Sequence, residues 1–206
     1  MKFTSVTLAG PPGLPAFYGD ELGLPLDGDS IVVGETRLRF RVEDGGAFYH
    51  FALLVPGDRF DAALGWAQER VELIGGIFDS DAWDSRAVYF EDPAGNILEL
   101  IAHHGLEENG RDDDFRAEEL VGFSELGVVG DPPSLLPELE VVGVHLWDGT
   151  IEVPERLAFV GEPGRTFILA PTGRGWLPTG RPAEVHPVEA RLDLDGTYRS
   201  FSMRRL

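Results

Sequence analysis

The sequence predicts an α+β fold built from repeated β-α-β-β-β units, and three observations carry that prediction. Alternating apolar segments and single stretches of helical periodicity recur in one order along the chain. Residues 24–40 (LPLDGDSIVVGETRLRF) can be laid on residues 144–159 (VHLWDGTIEVPERLAF) with one gap. An acidic stretch, EENGRDDDFRAEE at 107–119, has seven acids and two arginines and divides the chain near its middle.

Each element has a local reason. Phe3 to Leu8 alternates as a strand, and Leu14 to Leu22 is a short helix with Leu14, Phe17 and Leu22 on one side. Ile31–Val33 and Thr36–Val42 read as strands, as does Phe48–Val55. Over 58–73, Phe60, Ala63, Leu64, Ala67 and Val71 fall at helical spacing, and Gly75-Gly76 ends the helix. Trp66 lies off that stripe, which predicts an exposed or interface position. Arg86–Glu91 and Asn96–Ala102 form a strand pair around Asp92-Pro93-Ala94-Gly95, where proline presets φ and glycine accepts φ > 0. A third unit follows, with a strand at 120–129, a helix at 132–141 and strands near 144–160 and 165–170. A fourth, starting at His186, is truncated. The expected organisation is a first module pair at 1–104, an acidic solvated linker at 105–119 and a degenerate second pair at 120–206. Truncation leaves strand edges unpaired, which points to a homodimer.

Composition narrows the function. The 206 residues include no cysteine, which excludes disulfides, thiolate zinc sites and cysteine nucleophiles. Seventeen basic against 36 acidic residues give a net charge of −19, a surface that repels nucleic acid. No apolar run approaches the ~18 residues of a membrane span, so a cytoplasmic protein acting on a small molecule is expected.

Alternation then assigns faces. In Thr36–Val42, Leu38 and Phe40 go to one face and Arg37, Arg39 and Arg41 to the other. In Phe48–Val55, Phe51, Leu53 and Val55 belong under the helix, and His50, Ala52 and Leu54 face the opposite way. Glu99 stands in the middle of the apolar strand 96–102, where a buried carboxylate needs a cation, a donor or a proton. Glu125 interrupts a similar strand. His103 and His104 point to opposite faces and read as surface residues. The loop around Trp176 reads as a cover over the core.

FYGDELGLPL at 17–26, FYHFALLV at 48–55 and YFEDPAGNILEL at 89–100 resemble the vicinal oxygen chelate superfamily. That family includes glyoxalase I, extradiol dioxygenases, and fosfomycin- and bleomycin-resistance proteins. The resemblance implies paired modules forming a cleft-shaped half-barrel, with a divalent metal at its bottom chelating two substrate oxygens. His50 and Glu99 match two ligand positions, and such a set suits Mn, Fe, Ni or Zn. Two other positions depart from the pattern: Ser5 stands at the first-strand histidine, and Arg37 aligns with the first module's acidic ligand. Arg37 would then replace the ion as partner of Glu99, or join Arg39 in orienting an anionic substrate. The implied function is a metal-dependent dioxygenase or lyase working in an N-terminal cleft, with Glu99 as ligand or general base. The alternative is a metal-free binding protein of the bleomycin-resistance kind, for which the net charge favours a cationic ligand.

Overall fold

The computed structural model describes residues 1–43, 45–153 and 155–204. Its first unit is β1 (Lys2–Gly10), α1 (Leu14–Ala16) running into a π turn over Phe17–Glu21, β2 (Leu26–Asp27), β3 (Ser30–Val33) and β4 (Thr36–Val42). The second is β5 (His50–Val55), α2 (Phe60–Gln68), β6 (Leu73–Ser80), β7 (Ser85–Glu91) and β8 (Ile97–His103). The third is β9 (Gly122–Gly130), α3 (Pro132–Val141), β10 (Leu146–Gly149), β11 (Ala158–Glu162) and β12 (Arg165–Pro171). A hairpin, β13 (Val188–Leu194) and β14 (Thr197–Met203), stands for the fourth. The fold is mixed α+β, as expected. One strand departs from the sequence pattern: the helix stops at Gln68, and β6 runs straight through Gly75 and Gly76 with a bulge between Ile74 and Phe78.

Strand pairing decides where a cleft can form. Inside each unit the first and last strands pair in parallel: β1 with β4, β5 with β8, β9 with β12. Between units the first strands meet antiparallel, β5 with β9 and β1 with β13. The second unit is thus hydrogen-bonded to the third, in an eight-stranded sheet ordered β10-β11-β12-β9-β5-β8-β7-β6. The first unit joins the truncated fourth, in a six-stranded sheet ordered β14-β13-β1-β4-β3-β2.

The face assignments for β5 hold. Phe51, Leu53 and Val55 share the main core with Phe60, Ala63 and Ala67 of α2, and Ala52 joins the smaller cluster on the other face. The two sheets meet through buried phenylalanines. Phe3 packs edge-on against Phe167 at 5.0 Å and tilted against Phe123 at 6.4 Å, and Phe123 stacks on Phe51 of its own sheet at 5.0 Å. Truncating one such ring to alanine costs about 3–5 kcal/mol.

The acidic segment is tied down, not frayed. Buried Arg59 donates to Glu119 and to the carbonyls of Arg111 and Asp113. Asp58 accepts from the backbone N–H groups of Asn109 and Gly110. Phe115 from this segment closes edge-on over Trp66, which is therefore buried rather than exposed. Among the described residues no helix is long and apolar enough to cross a membrane.

Candidate metal centre

Three segments singled out in the sequence form one hydrogen-bonded unit around the start of β5. Asp92 accepts from the backbone N–H of Ala94 and Asn96, from the Asn96 side-chain amide at 2.7 Å and from the Tyr18 hydroxyl at 2.6 Å. Burial nevertheless holds the Asp92 carboxyl above its usual range, against the pull of those four donors. The Asn96 side-chain carbonyl accepts from the Tyr49 N–H, and Ile97 N–H donates to the Tyr49 carbonyl. The turn thereby sets the register of β5 against β8, placing His50 opposite Ile97 and Ala52 opposite Glu99.

That register orients the imidazole. His50 Nδ1 lies 3.2 Å from the Ile97 carbonyl, which can only accept, so Nδ1 carries a proton and Nε2 is the nitrogen left to present a lone pair to a metal. Nε2 faces Glu99 Oε2 at 3.6 Å and Glu125 Oε2 at 3.8 Å, all three residues being buried. One ligand atom from each lies within 4.8 Å of the others. Tyr89 donates its hydroxyl to Glu99. Burial and the neighbouring Glu125 carboxylate hold the Glu99 carboxyl well above the usual range, against the pull of Tyr89. Burial together with both carboxylates drives the Tyr89 phenol far above its ordinary value.

Glu125 reaches this group through a β-bulge. Ala52 pairs with Glu125 but Leu53 pairs with Phe123, leaving Ser124 as the extra residue. In a regular strand residues 123 and 125 would share a face. The bulge sends Phe123 into the core against Phe51 and turns Glu125 toward His50.

The donor set fits a divalent cation. Two buried carboxylates and an imidazole lone pair repel one another unless a cation or a proton lies between them, and a divalent cation can satisfy all three at once. Separations of 3.6 and 3.8 Å are too long for hydrogen bonds and leave room for an ion about 2 Å from each atom. One nitrogen and two carboxylate oxygens suit Mn, Fe, Ni or Zn.

Above the trio is a cavity of about 310 Å³, walled by Phe78, Trp83, Tyr89, Phe159 and Trp176. Trp176 lies 4.9 Å from His50, and Gly127 permits this, because a Cβ there would meet the indole at 3.0 Å. Residues of both halves of the chain line the cleft, so it is not confined to residues 1–104. A wider groove of about 1200 Å³ runs beside Pro132, Leu135 and His186. Among the described residues it holds no second trio of this kind.

The other candidates lie elsewhere. Arg37 and Arg39 are on the six-stranded sheet, paired with exposed Asp27 at 3.7 Å and Asp29 at 3.3 Å. Neither lines the cleft, and the structure does not bring Arg37 to Glu99. The pairing Ser5↔Arg37, Thr7↔Arg39 also shows that, with Ser5 in the place of His50, the counterpart of Glu99 is Arg39. His103 is buried beneath Trp83, its ring stacked at 6.3 Å, whereas His104 is exposed.

No family model matches the sequence, and no curated protein matches it. Solved structures do. A provisionally named dioxygenase from Bacillus subtilis superposes with a TM-score of 0.55 at 17% identity, over 82% of this chain and 63% of that one. Glyoxalase I from Zea mays gives a TM-score of 0.52 at 16% identity, over 82% of this chain and 66% of that one. The chain thus spans just under two thirds of the length of each. Repeated units, parallel first-to-last pairing within each unit and these superpositions agree: the chain shares the fold of these glyoxalase and dioxygenase structures.

Proposed function

We propose that the protein is a divalent-metal-dependent enzyme acting on a small substrate with two adjacent oxygens, bound in the cleft above His50, Glu99 and Glu125. The observation that carries this reading is the buried imidazole whose Nε2 lies 3.6 and 3.8 Å from two buried carboxylates, an arrangement that a divalent cation makes favourable. A bound divalent ion would supply Lewis acidity toward the substrate oxygens. The Ile97 carbonyl holds the His50 tautomer, and the Tyr89 hydroxyl steadies Glu99. Trp176 and Phe159 line the cleft with apolar surface. Glu99, on the floor of the cleft, is placed to take a proton from a substrate hydroxyl.

The test is metal content per chain by mass spectrometry on tag-free protein loaded with Mn²⁺. Near-stoichiometric metal in the wild type, lost in His50→Ala and Glu125→Gln, is the expected result. A wild type that stays empty after loading would sink the proposal and return attention to a metal-free binding protein.

A further inference from the structure

Resting on the metal-centre reading, we infer that the cleft takes an organic anion: a flat apolar body with vicinal oxygens at the metal end and a carboxylate that pairs with Arg174. Three observations support this substrate class.

Arg174 is the one cation among the described residues lining the cleft. Its guanidinium makes a single hydrogen bond, to the carbonyl of the adjacent Gly175 at 2.9 Å, and meets no carboxylate among the described residues. Among the described residues, other arginines such as Arg181 and Arg191 also lack an acidic partner, but Arg174 alone combines that with a place in the cleft wall, whereas Arg37, Arg39, Arg59 and Arg165 all hold an acid. The cleft's other exposed charge, Asp79, is already met by Arg86 at 3.4 Å.

The backbone that presents Arg174 is fixed. Arg174 N–H donates to the Pro171 carbonyl, and the Arg174 carbonyl accepts from Ala183 at 2.8 Å. Two residues on, Trp176 packs against His50, and its N–H donates to the Arg181 carbonyl. Arg181 in turn lies over the Phe48 ring at 3.4 Å and donates to the Gly95 carbonyl. One rigid loop therefore holds both the indole over the metal end and the guanidinium that lines the same cavity. A planar guanidinium in a partly desolvated wall is suited to a bidentate carboxylate.

Charge balance points the same way. Two carboxylates and a divalent ion sum to zero, so a loaded floor leaves Arg174 as the unmatched charge of the cleft. Only an empty floor would favour the cationic ligand that the net charge of −19 suggests. Aromatic walls and a volume near 310 Å³ suit a body of one or two rings.

The experiment uses Mn²⁺-loaded protein with metal measured per chain, titrated calorimetrically with 3,4-dihydroxybenzoate and with its methyl ester. The same pair is run with the longer 3-(3,4-dihydroxyphenyl)propanoate. At least one acid should bind roughly ten- to hundredfold tighter than its ester. Arg174→Met should reduce that preference to about threefold or less, and Arg174→Lys should keep part of it, with metal content unchanged in both. Equal binding of acid and ester, a preference that survives in Arg174→Met, or no binding of either acid to loaded protein would overturn the inference and leave the metal centre standing. Failure of the wild type to hold Mn²⁺ shows separately, in the metal assay, and would remove both readings.

Discussion

On the eight-stranded sheet the central strands present His50, Glu99 and Glu125, all buried, while the matching strands of the six-stranded sheet present Ser5, Thr7 and Arg37, Arg39 and Arg41. Both faces are made by a parallel first-to-last strand pair meeting an antiparallel partner. What differs is cover. The third unit and the loop that carries Trp176 close over the first face. The second sheet has the hairpin β13–β14 where the first has the whole third unit, and its arginines pair with exposed acids such as Asp29. Like charges forced together in a dry site demand a cation or a proton, whereas opposite charges in water are nearly indifferent to one another. The chemistry of a strand position is set by what lies over it as much as by its residue.

The comparison breaks most sharply at the carboxylates. Glu99→Gln and Glu125→Gln should each weaken Mn²⁺ binding by at least about a hundredfold, read by competition with a chelating dye, and Arg39→Glu should leave it unchanged. Next in size, Tyr18→Phe removes a buried donor to Asp92 and should lower unfolding free energy by about 1–3 kcal/mol in urea. Its metal affinity should fall as well, because the same turn sets the register of His50; unchanged affinity would separate the turn from the site.

A smaller effect is expected with pH in metal-stripped protein. The Glu99 carboxyl is raised in the folded state, so it favours folding fully below its unfolded pKa and less as pH rises through the folded one. The Tm of stripped wild type should therefore fall as pH rises across that interval, with stability declining by at most about 1.4 kcal/mol per pH unit. Glu99→Gln or saturating Mn²⁺ should flatten the profile. Smallest of all, Arg37→Ala and Arg39→Ala should change stability by no more than about 0.5 kcal/mol, since their ion pairs are exposed.

Much of this contrast is legible in the sequence. Alternation in 50–55 separates His50 and Ala52 from Phe51 and Leu53, and Glu99 is conspicuous in its apolar strand. The bulge also leaves a trace, because the core residues of β9 step by three from Phe123 to Leu126 before returning to steps of two at Val128. What local pattern cannot carry is which strands become neighbours. Position within repeated units matches Arg39 to Glu99, yet the sheets place them apart, because β5 chose β9 and β1 chose β13. Trp66 and His103 read as surface in the sequence for a related reason: Phe115 and Trp83, which cover them, come from segments with no periodicity to announce a packing face.

The pairing of β1 with β13 has a consequence for the order in which the chain becomes native. Lys2 lies opposite Asp193, so one edge of β1 stays open until residue 193 has left the ribosome. The sheet that holds the metal centre needs only residues 50 to 171 and is complete while its companion still lacks two strands. Long-range closure of this kind is slow, and an open strand edge invites pairing with other chains. A pulse of hydrogen exchange during refolding would find β5, β8 and β9 protected before β1.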